Sequence, residues 1–225
     1  MSNMVSLVVP VISDLLTVAG YATATLNSCL STIIESRNEE ARNILISEIR
    51  LGNASAESSE LDNCVAIMYR YLRASQEGVA RLNLRLLAAI FSGQMQDKAI
   101  VPNEFLHYAN IIESLQYNEI ILLGTFLKHS TNVDGTVRTD DMPLEKTRDE
   151  LIPKIFEDPY ELDATFGALL RTGLISIYAQ GGGYGGGIAT TRYRVTRKLL
   201  RINQLASIEG ILERDGSYNQ DLPHK

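Results

Sequence analysis

Residues 162–200 read LDATFGALLRTGLISIYAQGGGYGGGIATTRYRVTRKLL, and the change of period inside them decides the fold. Leu162, Phe166, Leu169 and Leu170 recur at helical spacing, and Asp158-Pro159 opens that helix. Gly173 closes it, because a residue without a Cβ accepts the left-handed conformation of a helix end. From Leu174 the period drops to two. LISIYAQ (174–180) and TTRYRV (190–195) read as strands joined by the glycine-rich run 181–187. Ile175 and Ile177 share one face, as do Tyr193 and Val195, which fits a hairpin with one buried side. A helix then resumes from about Thr196 to Ile208 with Leu199, Leu200, Ile202 and Leu205, before a polar tail over 210–225.

Upstream, the chain reads as helix. Asn103, after Pro102, is expected to cap a helix bearing Phe105, Leu106, Ile111, Ile112 and Leu115, and Asn118 another that ends near His129. Residues 130–163 hold ten acids and four bases, which accounts for the whole net charge of -6. They read as an acidic connector with short helices. Helices at 117–129, 147–155 and 159–172 followed by a hairpin at 174–195 give the element order of a winged helix.

The strongest periodic signal lies earlier. Leu61, Val65, Met68, Leu72, Ser75, Val79, Leu82 and Leu86 alternate spacings of four and three, a heptad seam on one expected helix of about thirty residues. Leu61, Val65, Met68, Leu72, Val79, Leu82 and Leu86 are therefore candidates either for packing against the first helix or for self-association as a homodimer. Residues 5–34 carry one charge, Asp14, but ten polar residues and a helical stripe. They read as a bundle helix, with a membrane anchor as the alternative. No basic start and no small-residue cleavage site suggest a signal peptide, so a cytoplasmic location is expected. The fold expectation is a mainly α chain: a long-helix bundle over 1–100, then a winged-helix-like α+β domain over 101–209 with one β-hairpin.

The run LDATFGALLRTGLISI, the glycine turn and YRVT resemble the C-terminal region of Abi-alpha-type abortive-infection proteins, over about residues 116–200. The resemblance implies a helical N-terminal half and a role in phage defence, with no catalytic residue to carry over. The family pattern often continues from the threonine to a glycine, whereas here Thr196 is followed by Arg197, Lys198 and Leu199.

Composition narrows the functional classes. Hydrophobic residues make up 45%, which excludes a disordered chain, and two cysteines do not build a disulfide scaffold. Gly181, Gly183 and Gly186 match GxGxxG, yet a strand follows where a dinucleotide site needs a helix N-terminus. His107, His129 and His224 lie far apart, with His107 read as a partly buried structural residue, and no Cys–His pair or GxSxG is present. No enzyme, metal or cofactor is expected. One surface remains. Arg192, Arg194, Arg197, Lys198 and Arg201 place five cations in ten residues without an acid, with Tyr184 at the hairpin tip. Three of them fall in the first turns of a helix, where the macrodipole disfavours cations. They suit an acidic protein partner or, alternatively, nucleic acid, or they pair with the acidic connector. The helix that would read a DNA groove offers Tyr160, Glu161, Asp163, Thr165 and only Arg171, which opposes phosphate binding.

Overall fold

In a computed structural model, which describes residues 23–52, 61–132, 134–138, 142–180 and 190–216, the chain is mainly helical with one two-stranded antiparallel sheet. The helices are α1 (Thr23–Leu51), α2 (Leu61–Gln76), α3 (Arg81–Gln96), α4 (Pro102–Glu113), α5 (Tyr117–Ser130), α6 (Pro143–Leu151) and α7 (Pro159–Leu169), the last extended by a 3-10 turn at Leu170–Thr172. Strands β1 (Ile175–Gln180) and β2 (Thr190–Val195) follow, then α8 (Arg197–Ala206) and α9 (Ile208–Asp215). No helix among the described residues is long and apolar enough to cross a membrane. Most of the stretch 5–34 lies outside the described residues.

Helix α3 sits at the centre. After Arg85 its sequence, LLAAIFSGQM, has no charge, and a helix apolar on every side must be covered on every side. Helix α1 packs along one flank through Ala41, Ile44 and Leu45, and α8 packs along another through Leu199, Ile202 and Leu205. The α3–α8 approach is backbone against backbone: a Cβ added at Gly93 would lie 2.3 Å from the Leu205 carbonyl oxygen. Helix α9 then bridges α3 to α5, which is buried from Glu119 to Leu127. One apolar core therefore runs from Ala41 to Leu212 and joins residues on both sides of position 100.

Three polar side chains inside this core have partners that explain them. Asn83 Nδ2 donates to the carbonyl oxygens of Ile112 (2.6 Å) and Leu115 (2.9 Å), at and just past the end of α4, where carbonyls lack the regular helical donor four residues on. The Tyr71 hydroxyl donates to the Ala41 carbonyl at 2.9 Å and ties α2 to α1. Glu119, 5% exposed, completes a capping box with Gln116 and takes two hydrogen bonds from Arg171, one of them at 2.9 Å.

The hairpin matches its expected strands. Its register pairs Ile175 with Val195, Ser176 with Arg194, Ile177 with Tyr193 and Tyr178 with Arg192. Ile175 and Val195 are buried, and Tyr193 stacks on Phe166 of α7 with ring centroids 4.4 Å apart. Ile177, on the same side, is 51% exposed, because the strands run on past the edge of the core. Asp158 caps α7 by accepting from the Glu161 amide, Thr196 caps α8, and Gly173 closes the 3-10 turn at φ 67°.

Several boundaries differ from the sequence expectation. The single helix expected to carry the seam from Leu61 to Leu86 is two helices, α2 and α3, because the chain turns at Gly78 with φ 87°. Pro102 is the first residue of α4, so Asn103 is inside the helix and does not cap it. Gln116, not Asn118, caps α5. Helix α6 begins at Pro143 and ends before Pro153, four residues earlier than expected. The helix after Thr196 breaks at Ser207 (φ 47°), and α9 occupies the start of the expected polar tail with Ile211 and Leu212 fully buried. His107 is exposed on α4.

Candidate functional site

The five cations of 192–201 divide into two groups, and the division comes from where each backbone element aims them. Arg201 lies on α8 and turns inward: its guanidinium meets Asp97 Oδ2 at 2.8 Å and Glu104 Oε1 at 3.3 Å, linking α8 to α3 and α4. Lys198 Nζ reaches the Thr172 carbonyl at 3.4 Å and so places a cation at the end of the 3-10 turn, where the helix dipole favours it. These two residues hold the fold together. The unfavourable macrodipole position has a structural cause in both.

Arg192 and Arg194 share the outer face of β2, opposite the face that carries Tyr193 and Val195. Arg194 is exposed, its Nε donates to Ser176 Oγ at 3.2 Å, and its guanidinium lies 5.5 Å from the centre of the Tyr178 ring. Arg192 stands directly across from Tyr178 in the register. Arg197, exposed, opens α8 two residues beyond the strand. Among the described residues, no carboxylate forms an ion pair with Arg192, Arg194 or Arg197. Tyr184 lies outside the described residues. The sequence analysis did not name Tyr178, although its alternation with Ser176 on β1 was the signal that placed it opposite the arginines.

Two acids of the connector are used internally, and its described residues form no ion pair with these arginines. Asp163 takes two hydrogen bonds at 2.8 Å from Arg148, and Glu150 receives Lys128 (2.9 Å) and His129 (2.8 Å). Burial raises the Glu150 carboxyl and the two basic partners outweigh it, so its pKa lies below the ordinary carboxylate value. Arg171 is held by Glu119, which leaves the outer side of α7 with Tyr160, 83% exposed, and Glu161. That side carries no free cation among the residues expected to read a groove.

The heptad seam is also divided. Leu82 and Leu86 lie in the chain's own core on α3, and Val79 is half-buried at the turn. Leu61 and Val65 are 61% and 54% exposed on α2, with Met68 and Leu72 half-buried beside them. The structure does not bring the seven residues onto one surface. A further cleft of about 410 Å³ between α1 and α3 is lined by Glu39, Glu40, Asn43, Arg81 and Arg85 among others. Arg81 and Glu40 face each other across it at 3.8 Å, and Arg85 is paired outside the lining, 3.7 Å from Glu48 and 3.0 Å from Asp215. Among the described residues, no group of three His, Cys, Asp or Glu side chains is placed to hold a metal ion.

The comparisons with family models, with curated proteins and with known structures give no match to this chain.

Proposed function

We propose that this chain is a non-enzymatic docking subunit whose C-terminal half, a winged-helix-like unit built on α5–α7 and the hairpin, binds an acidic segment of a protein partner. The observation that carries this reading is the sorting of the basic cluster. Lys198 and Arg201 are engaged by the fold, whereas Arg192, Arg194 and Arg197 meet no carboxylate among the described residues and two of them flank Tyr178. Arginines beside an aromatic ring offer planar, bidentate donors and a stacking surface, which suit carboxylates presented on an extended segment. A short acidic segment is favoured over DNA because a duplex read by α7 would lay its phosphates along the start of that helix, where Glu157, Asp158 and Glu161 lie exposed, whereas a peptide needs to reach only the arginines. In this reading the docking serves phage defence, the process that the resemblance over residues 116–200 implies.

The test is a fluorescence anisotropy titration of the full-length protein with a labelled Glu/Asp-rich peptide and, in parallel, labelled duplex DNA, each at low and near-physiological salt. Three exposed ion pairs at roughly 0.5 kcal/mol each correspond to about a tenfold loss of peptide affinity in the R192A/R194A/R197A variant. Peptide binding that persists at physiological salt and weakens by that factor supports the proposal. DNA binding with the same behaviour replaces it with a nucleic-acid function, and binding of neither probe overturns it.

A further inference from the structure

We infer that the outer edge of β1 takes an extended partner segment as a third strand, and that the segment alternates acidic and apolar residues. The inference rests on the acidic-segment docking reading above and gives its binding mode. The Thr196 amide donates to the Leu174 carbonyl at 3.1 Å, and that bond fixes the phase of the ladder. Bonded and non-bonded pairs alternate along an antiparallel ladder. Ser176–Arg194 and Tyr178–Arg192 therefore exchange their backbone bonds, while Ile177 turns its amide and carbonyl away from β2. Among the described residues, nothing hydrogen-bonds to either Ile177 group. The position is also open, with Ile177 and Tyr178 51% and 40% exposed. The opposite edge is less accessible, because β2 approaches α5 and Tyr193 in its middle is half-buried. An exposed apolar edge with bare backbone groups is a template for another strand.

Charge selects the occupant. Arg194 starts on β2, but its Nε meets Ser176 Oγ at 3.2 Å and its guanidinium lies 5.5 Å from the centre of the Tyr178 ring, so the cation is carried across to β1. A strand laid on that edge stands about 4.8 Å away, and its outward side chains sit beside Ser176 and Tyr178. Carboxylates there come within reach of Arg194. On the other face, the partner's side chains lie beside Ile177, which the core leaves half uncovered. The two faces thus call for acids at one set of alternate positions and apolar residues at the other. A second copy of this chain does not meet that requirement. Pairing through its own β1 about a twofold axis would bring a second Arg194 onto the same face, like charge against like.

The probe is a fluorescein-labelled octapeptide of alternating Glu and Val, titrated by anisotropy with the full chain. Two further versions carry N-methyl groups on every Val or on every Glu. Alternate amides of a strand point to opposite edges, so only one of these versions keeps the amides that face β1. That version is expected to bind like the parent. The other should lose about tenfold or more, the worth of two missing backbone bonds. The Val version is the one that fails if the segment runs antiparallel to β1, and the Glu version if it runs parallel. Amide exchange followed by NMR reads the protein side: saturating peptide should slow the Ile177 amide, and change the Ser176 and Tyr178 amides, already bonded to β2, much less. Methylated versions that bind alike, or an Ile177 amide indifferent to the peptide, overturn the strand addition. If R192A/R194A/R197A still weakens binding in that case, the docking reading stands without it. An alternating peptide that fails to bind where a Glu/Asp-rich one succeeds removes this inference alone, and binding of neither removes both.

Discussion

Substituting Gly93 by Ala and Gly167 by Ala should move stability in opposite directions, although both glycines lie in helices. An exposed helical glycine costs about 1 kcal/mol relative to alanine, so Gly167→Ala, whose Cβ would meet nothing within 4 Å, should stabilise by up to that amount. At Gly93 the same propensity gain operates, but the new methyl would sit 2.3 Å from the Leu205 carbonyl oxygen and 2.7 Å from its Cα. The obstacle is backbone of α8, which cannot swing aside as a side chain can. Overpacking a close-packed site costs roughly 1–3 kcal/mol, and a backbone obstacle belongs at the upper end, so the net effect is a loss of about 2 kcal/mol. For a chain of this length that is a fall in Tm of roughly 4–8 °C. Thermal unfolding followed by circular dichroism reads both variants directly. A Gly93→Ala protein as stable as Gly167→Ala would refute the close α3–α8 crossing, and with it the central position of α3.

Other outcomes follow from the buried polar groups. Arg171→Ala should cost about 2 kcal/mol in urea unfolding, because it leaves the Glu119 carboxylate buried with only the Gln116 amide, and Glu119→Gln added to it should recover part of the loss. Burial raises the Glu119 carboxyl, while the bonds from Arg171 and the Gln116 amide outweigh it and hold its pKa below the ordinary value. Its contribution is therefore complete above the unfolded carboxylate pKa and is lost as pH falls through the lowered native one. A stability profile in acid that is unchanged by R171A would contradict this. Tyr71→Phe should lose about 1 kcal/mol by removing the hydroxyl's hydrogen bond to the Ala41 carbonyl, measured by the same urea series. Burial raises the Tyr71 hydroxyl, and burial together with Glu104 pushes Tyr108 up to about 12, so both support the fold below the free tyrosine value of about 10. Stability should fall as pH climbs from there toward the native values, and a flat Tm across that window would count against both assignments.

The sequence displayed the C-terminal half more openly than the N-terminal half, for physical reasons. Caps and period changes are local, so Asp158, Gly173 and the two strands marked their elements without knowledge of what packs on them. The heptad seam was misleading because Leu61 to Leu86 keeps its apolar spacing across the turn at Gly78, where a single positive φ redirects the chain. The burial of α3 was readable in the ten uncharged residues from Leu86 to Met95, a longer-range signal than any seam. Within the candidate site, the cluster of cations was visible but its division was not. Arg201 differs from Arg197 only by which neighbours the fold supplies, and Asp97 and Glu104 come from about a hundred residues away.

The position of α3 also bears on how the chain is made. Its partner α8 lies about 110 residues downstream, so at ordinary rates of synthesis α3 emerges from the ribosome roughly 5–20 s before the helix that covers it. During that interval a nearly uncharged apolar helix has, among the described residues, chiefly α1, α2 and α4 to cover it, and a chain stopped at Thr196 should bind chaperones or aggregate where the whole protein does not. Residues 197–212 thus act as the last stave of the barrel, and the N-terminal half stays dependent on them long after it has left the tunnel.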